Sequence, residues 1–395
     1  MNRDGRSPPS RKPARRAGPV ELPIYNKVEE QVCCGGSPPP MSPPYARPGY
    51  TLCSFVERLE ATEAGPVPVV CTRRSWPDLA GTVLARLGFK RNRYLVAPGL
   101  YAVGAPDRSA PVLVTANYKL SFDTLRFALP GMHLWLLVLD TCGINVWCAA
   151  GKGTFSTQEL VFRVESSGLA KLVEHRRLIV PQLGATGISA LQVKKQSGFS
   201  VQFGPLRASD IAAWFDNGKR DIEGMRDVTF SLKERAELIP VEFHLALKSM
   251  WWLFPLLFIV SGIGPDLEIT ARLMSRGMWM VVALLAGIGA GIILVPLLLP
   301  WLPGRAFALK GAGAGLLCGL LLNFLPETGL RLPELLALLG VVVVMSSYLG
   351  MNFTGSTPYT SPTGVEWEMK KAIPAQFTLL VGALMLWVGT PLVLS

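Results

Sequence analysis

Residues 277–304 read GMWMVVALLAGIGAGIILVPLLLPWLPG and contain no Asp, Glu, Lys or Arg. A bilayer core of roughly 30 Å takes about 20 residues of helix, so this stretch is long enough to cross one. Four further charge-free runs flank it: Ser249–Pro265, Gly311–Pro326, Leu335–Val365 and Ala372–Ser395. Gly311–Pro326 is short, but it extends back through Ala306–Leu309 if Lys310 snorkels. The pattern predicts an all-α bundle of about five transmembrane helices over 249–395. Soluble cores rarely contain charge-free stretches of this length, so a purely soluble enzyme is excluded. No acid or base falls inside the five runs, and a proton-coupled transporter would lack its usual parts. Paired small residues (Gly287, Gly289 and Gly291; Gly311, Gly313 and Gly315) permit close helix packing, and Cys318 reads as a small packing residue.

The sequence before this region divides in two. Residues 1–50 hold 11 of the 32 prolines and no apolar stretch after Arg15-Arg16. They read as a flexible, basic, Pro-rich tail rather than a signal peptide. Residues 51–235 alternate apolar runs with helical patterns, and 236–248 link them to the bundle. PVLVT at 111–115, LWLLVL at 134–139, LIV at 178–180 and FSVQF at 199–203 read as strands; residues 121–128 and parts of 157–175 read as helices. Near-continuous apolar strands separated by helices predict an α/β domain with a mostly parallel, Rossmann-like sheet covered on both faces. Such sheets place ligands in the loops after the strand C-termini.

The formal charge of +11 is spread along the chain and accompanies no nucleic-acid-binding module, so no nucleic-acid partner is expected. The seven cysteines include no C-x-x-C pair, which argues against an iron–sulfur cluster in this chain and against a zinc ribbon. Their odd number and irregular spacing fit a reducing compartment. With the α/β domain in the cytoplasm, Arg305, Lys310, Lys370 and Lys371 lie inside, and Arg272, Arg276 and Arg331 outside. That modest inside excess favours a multi-pass protein of the cytoplasmic (inner) membrane with its α/β domain in the cytoplasm.

The sharpest local signal is Asn145-Val-Trp-Cys-Ala-Ala-Gly-Lys152, just after the strand at 134–139. Ala149, Ala150 and Gly151 leave the backbone beside Cys148 without bulk, so a large flat ligand could approach the sulfur. Lys152 adds positive charge that favours the thiolate. An ordinary cysteine beside a turn is the plain alternative.

NVWCAAGK resembles, over all eight residues, the cap-helix motif of the mercury-methylating corrinoid proteins (HgcA type). Residues 114–119 (VTANYK), 180–187 (VPQLGATG) and 203–210 (FGPLRASD) also resemble the corrinoid domain shared with the large subunit of the corrinoid iron–sulfur protein. The likeness covers roughly residues 40–395. It implies a base-off cobalamin whose lower axial ligand to cobalt is Cys148, with Asn145, Val146, Trp147, Ala149, Ala150, Gly151 and Lys152 around it. A soft, strongly donating thiolate suits methyl transfer to the soft electrophile Hg(II), giving methylmercury. The D-x-H-x-x-G pattern of histidine-ligated cobalamin is absent from this sequence.

Further expectations depend on that resemblance. Gln182, Gly184, Ala185, Thr186 and Gly187, together with Gly204, Pro205 and Arg207, form small-residue loops that could meet the phosphate and amides of the cobalamin tail, or could simply be tight turns. Thr115 and Asn117 would orient Cys148 or the corrin side chains. Because this chain lacks a cluster set, electrons would come from a ferredoxin-like partner (HgcB type), and methyl groups from a methyltetrahydrofolate-dependent system. Cys33-Cys34 is a vicinal pair that could capture and deliver Hg(II). Two other readings stay open: the same methyl carrier with a natural acceptor other than mercury, and a non-catalytic membrane protein that binds or transports cobalamin.

Overall fold

The computed structural model describes residues 54–395, apart from 90, 266, 267, 325–328, 361, 394 and 395. Its first half is a seven-stranded sheet in the order β1-β2-β3-β5-β4-β6-β7. The chain runs β1 (Val56–Thr62), β2 (Gly65–Val70), α1 (Trp76–Arg86), β3 (Gly99–Val103), β4 (Val112–Ala116), α2 (Lys119–Phe127), β5 (Leu134–Leu139) and α3 (Val146–Lys152). It continues through α4 (Thr157–Ser166), α5 (Leu169–Leu172), β6 (Arg177–Val180), α6 (Ala190–Ser197), β7 (Ser200–Phe203) and α7 (Ile211–Asp216). The sheet is mixed rather than mostly parallel. β5, β4, β6 and β7 run parallel, but β1 pairs antiparallel with β2, and β3 antiparallel with β5.

LWLLVL at 134–139 is buried on both faces, which is why it reads as an uninterrupted apolar run. Trp135, Leu137 and Leu139 pack with Val146, Ala149 and Ala150 of α3 and with α4–α6. Leu134, Leu136 and Val138 pack with Phe122 and Leu125 of α2 and with Trp214 of α7. The result is a three-layer sandwich whose parallel strands all end at one edge, and α3 lies along that edge.

The second half is helical. The helices Ile269–Leu298, Leu332–Ser356 and Thr363–Val393 are long and apolar enough to cross a membrane. A fourth span exists if the pair Leu232–Met250 and Leu253–Val260, bent by 53°, counts as one, whereas Phe307–Asn323 has only 17 residues. The expected five spans are therefore three or four by length and composition among the described residues. The segment expected to be a linker is itself helical, as part of Leu232–Met250.

The three membrane-length helices begin earlier than their charge-free runs do, because charges they take in are partnered. Arg276 stands 2.7 Å from Glu334, both are buried, and Arg276 also donates to the Ser261 carbonyl at 3.0 Å. Glu368 accepts from the Ala308 amide at 2.6 Å. The helical half thus holds buried charged residues just outside the charge-free runs. Glycines at i, i+4 spacing seat the central Leu332–Ser356 helix: a Cβ at Gly287 would meet Met345 at 2.6 Å, and one at Gly315 would meet Ser346 at 2.7 Å. Gly289 and Gly313 face open space instead.

Candidate functional site

The site begins where β4 and β5 end. Thr115 and Asn117, both buried, lie at the end of β4 and just beyond it. The Asn117 side-chain oxygen accepts from the Thr141 amide (3.0 Å), the Thr141 hydroxyl (2.9 Å) and the Gly143 amide (3.0 Å). Its Nδ2 donates to Asp140 at 3.0 Å. One side chain thereby shapes the link from β5 to α3. The link turns sharply, with φ of +56° at Cys142 and +69° at Gly143, and Asp140 steadies it by accepting from the Cys142 amide at 3.1 Å. Glu159 of α4 accepts from the Asp140 amide at 2.8 Å and is paired with Arg163 at 2.7 Å. Burial raises the Cys142 thiol to about 11, and Asp140 and Glu159 push the same way. Cys142 is therefore held as a thiol.

The link delivers Asn145 as the N-cap of α3, where its side-chain oxygen accepts from the Cys148 amide at 2.8 Å. Gly153, in the left-handed region at φ +76°, closes the helix. Val146, Ala149 and Ala150 face the core, while Trp147 and Cys148 are exposed on the outer side. Lys152 lies four residues after Cys148, on the same helical face. A Cβ on Gly151 would meet nothing within 4 Å. The motif thus presents an aromatic ring and a thiol outward on a short helix fixed at both ends.

The loop after β6 packs beneath this helix. A Cβ on Gly187 would overlap the Phe155 carbonyl and come within 3.2 Å of the Ala150 Cα; one on Gly184 would meet the Phe155 ring at 2.5 Å. These two glycines are set by packing against Phe155. Ala185 is half-buried and Thr186 exposed. Gln182 accepts a hydrogen bond from Arg226. Gly204 and Pro205 are buried after β7, and the Gly204 amide donates to the Val180 carbonyl at 2.9 Å. Arg207 is turned toward Thr229 and Glu234. The structure thus gathers Asn117, Asn145, Cys148, Ala150 and the 182–187 loop around α3, and directs the Arg207 guanidinium to the segment that follows the sheet. Cys33 and Cys34 lie outside the described residues.

Tyr118 is a residue that the sequence reading did not single out. Its side chain is 5% exposed, and its hydroxyl is buried without a hydrogen-bond partner among the described residues. Burial raises its pKa; Arg91 and Arg86 oppose this, and the Cys148 sulfur adds to it. The Arg91 guanidinium lies over the Tyr118 ring, 6.0 Å from its centroid. A tyrosine directly after the clamping Asn117 was the available signal, but nothing in its spacing pointed toward the cysteine.

Residues 90–215 match the family model described as CO dehydrogenase/acetyl-CoA synthase delta subunit. The chain is also similar to acetyl-CoA decarbonylase/synthase complex gamma subunits. It is 31% identical to that of Methanocaldococcus jannaschii over 129 residues, covering 32% of this chain and 26% of the relative. With gamma 2 of Methanosarcina thermophila the identity is 36% over 121 residues, covering 30% and 25%. The chain thus spans about a quarter of the length of the curated relatives it matches. The family-model match takes in β3 to α7, including Cys148, and stops short of the helical half.

Proposed function

We propose that this chain is a membrane-anchored corrinoid protein that passes a methyl group to Hg(II), with Cys148 as the lower axial ligand of a base-off cobalamin. The observation that carries the reading is the exposed Cys148 thiol, held on a doubly capped helix at the C-terminal edge of parallel strands. Its support from relatives is coarser: they are subunits of acetyl-CoA decarbonylase/synthase complexes, which favours a related corrinoid methyl carrier without naming mercury.

The residues present fit such a group. Cys148 and Trp147 offer a soft donor and a flat apolar surface on the outer side of α3. Gly151 leaves space beside them, and the Tyr118 hydroxyl is buried without a hydrogen-bond partner among the described residues. When bound, a corrinoid supplies a transferable methyl group. The chain's own contribution is positional. Asn145 fixes the Cys148 backbone, and Asn117 fixes the link that leads to it. The 182–187 loop would line the tail of the group. Electrons would come from a ferredoxin-like partner of the HgcB type, and methyl groups from a methyltetrahydrofolate-dependent donor. Cys33-Cys34 would deliver Hg(II). The apolar helices would hold the chain in the inner membrane, with the α/β domain on the cytoplasmic side.

The second reading keeps the carrier and changes the acceptor; the names of the relatives favour it. The ligand assignment is tested by visible spectroscopy of the full-length protein reconstituted anaerobically with cob(III)alamin. Cys148→Ala is expected to abolish the thiolate–cobalt charge-transfer band while corrinoid is retained. Identical spectra from wild type and variant would overturn it.

A further inference from the structure

Helix α1 is amphipathic in the reverse sense. Its inner side carries Asp78, 2% exposed, and Ala85, 1% exposed. Its outer side carries Trp76, 83% exposed, with Leu79, Val83, Leu84 and Leu87 also exposed, and Phe89 follows the helix. At 100° per residue, these side chains form one stripe. The helix cannot roll to bury it. Asp78 is pinned by Lys119 at 3.1 Å, by Arg126 at 2.7 Å and by the Ser75 hydroxyl at 2.6 Å. Gly81 lies so close to the Tyr94 ring that a Cβ there would overlap it. An apolar stripe held outward in this way marks a surface that something covers.

Three observations identify what covers it. The first is position. Arg86 pairs with Glu237 at 3.1 Å, and the Phe89 ring packs against His244 at 4.7 Å. The C-terminal end of α1 therefore sits on the Leu232–Met250 helix, about seven residues, or roughly 10 Å, before the exposed pair Trp251 and Trp252. Phe243 and Leu245 of the same helix are also exposed. The second is charge. Residues 73–93 contain Arg73, Arg74, Arg86, Lys90, Arg91 and Arg93, against the single buried acid Asp78. The third is that α1 precedes the segment shared with the delta-subunit family, as the helical half follows it. An exposed Trp/Leu/Val stripe among basic residues, level with an aromatic pair, has the chemistry of an interfacial helix on anionic lipid.

We infer that α1 lies in the headgroup region of the membrane and tethers the α/β domain to it through anionic lipid. This rests on the reading of the helical half as membrane-spanning. It would hold the face bearing Arg86 and Arg91 close to the bilayer.

The test uses the full-length protein in nanodiscs of phosphatidylcholine alone or mixed with phosphatidylglycerol. Lipids brominated near the headgroup quench tryptophans at that depth. Wild type, Trp76→Phe and Trp251→Phe/Trp252→Phe isolate the two sets of rings by difference. Trp76 emission is expected to be quenched by brominated lipid and several-fold less accessible to iodide in the anionic discs. Val83→Asp, a substitution at an exposed position, is expected to restore iodide access. If Trp251 and Trp252 are quenched while Trp76 stays open to iodide in both discs, the inference is overturned and a protein partner becomes the alternative occupant. If no tryptophan is quenched, the spanning reading itself fails, and the inference with it.

Discussion

The Asn145 side-chain oxygen accepts a 2.8 Å hydrogen bond from the backbone amide of Cys148. One contact therefore caps α3 and fixes the peptide that carries the thiol. Asn145→Ala is expected to cost about 1 kcal/mol of stability, the usual value of an N-cap. It should also broaden the visible spectrum of bound corrinoid, because the thiol loses its fixed direction. Asn145→Asp, which keeps the acceptor, should restore both. Thermal unfolding and absorption spectra read the two effects separately.

Asn117 organises the approach to the helix through four hydrogen bonds, three of them to the segment Thr141–Gly143. Asn117→Ala leaves buried amides at Thr141 and Gly143 without their acceptor. Each such group costs roughly 1–3 kcal/mol, so a loss of about 2–4 kcal/mol is expected in denaturant titration. Faster hydrogen exchange confined to 140–152 would mark the loosened link.

The glycines of the site separate packing from binding. Gly187→Ala meets the Phe155 carbonyl and should destabilise the fold by about 1–3 kcal/mol. Gly151→Ala meets open space inside a helix and should raise stability by about 0.5–1 kcal/mol. It should nonetheless weaken corrinoid binding, because the added methyl occupies the side left free beside Cys148. Differential scanning calorimetry and cobalamin titration together decide the matter.

The buried cluster under α1 predicts a pH dependence at both extremes. Burial alone would raise the Asp78 pKa, but hydrogen bonds from Ser75, Arg126 and Lys119 hold it well below its ordinary 3.8. Its stabilisation is thus present above pH 3.8 and lost as pH falls below that value toward the folded pKa. Tyr94 is raised from 10.0 to about 12, by burial first and by Asp123 and Asp78 next. Its phenol resists ionisation in the fold, so stability falls as pH climbs from 10 toward 12. Asp78→Asn should flatten the acid limb, and Tyr94→Phe the alkaline limb, in unfolding midpoints measured across pH.

In the helical half, Arg276 and Glu334 form a buried pair at 2.7 Å. Arg276→Gln leaves the buried Glu334 without its cation, with the Arg331 amide still donating to it at 2.8 Å, and should cost about 3 kcal/mol or more. Adding Glu334→Gln should recover part of the loss, a coupling that a double-mutant cycle in detergent would measure.

The sequence was most legible where burial is two-sided. Leu134–Leu139 is a strand with the bounds its apolar run suggests, and Cys148 does sit just after it. β1 was not legible: Glu57, Arg58 and Glu60 lie on an exposed edge, where no apolar alternation is needed. Without β1–β3, the sheet reads as more parallel than it is. Helix ends in the apolar half were read too late, because Arg276 and Glu368 gain partners far along the chain. Asn117 was recognised by type, but its partners are 23–26 residues away. Gly184 and Gly187 have the composition of an anion-binding loop, and only coordinates reveal the Phe155 ring against them.

The central claim is tested most directly by product formation. Full-length protein and Cys148→Ala are each loaded anaerobically with methylcobalamin and given Hg(II), and methylmercury is quantified against free methylcobalamin. The expected result is methylmercury from wild type well above the free cofactor, and loss of that excess in the variant. Equal product from both proteins would contradict a thiolate-ligated methyl transfer at Cys148.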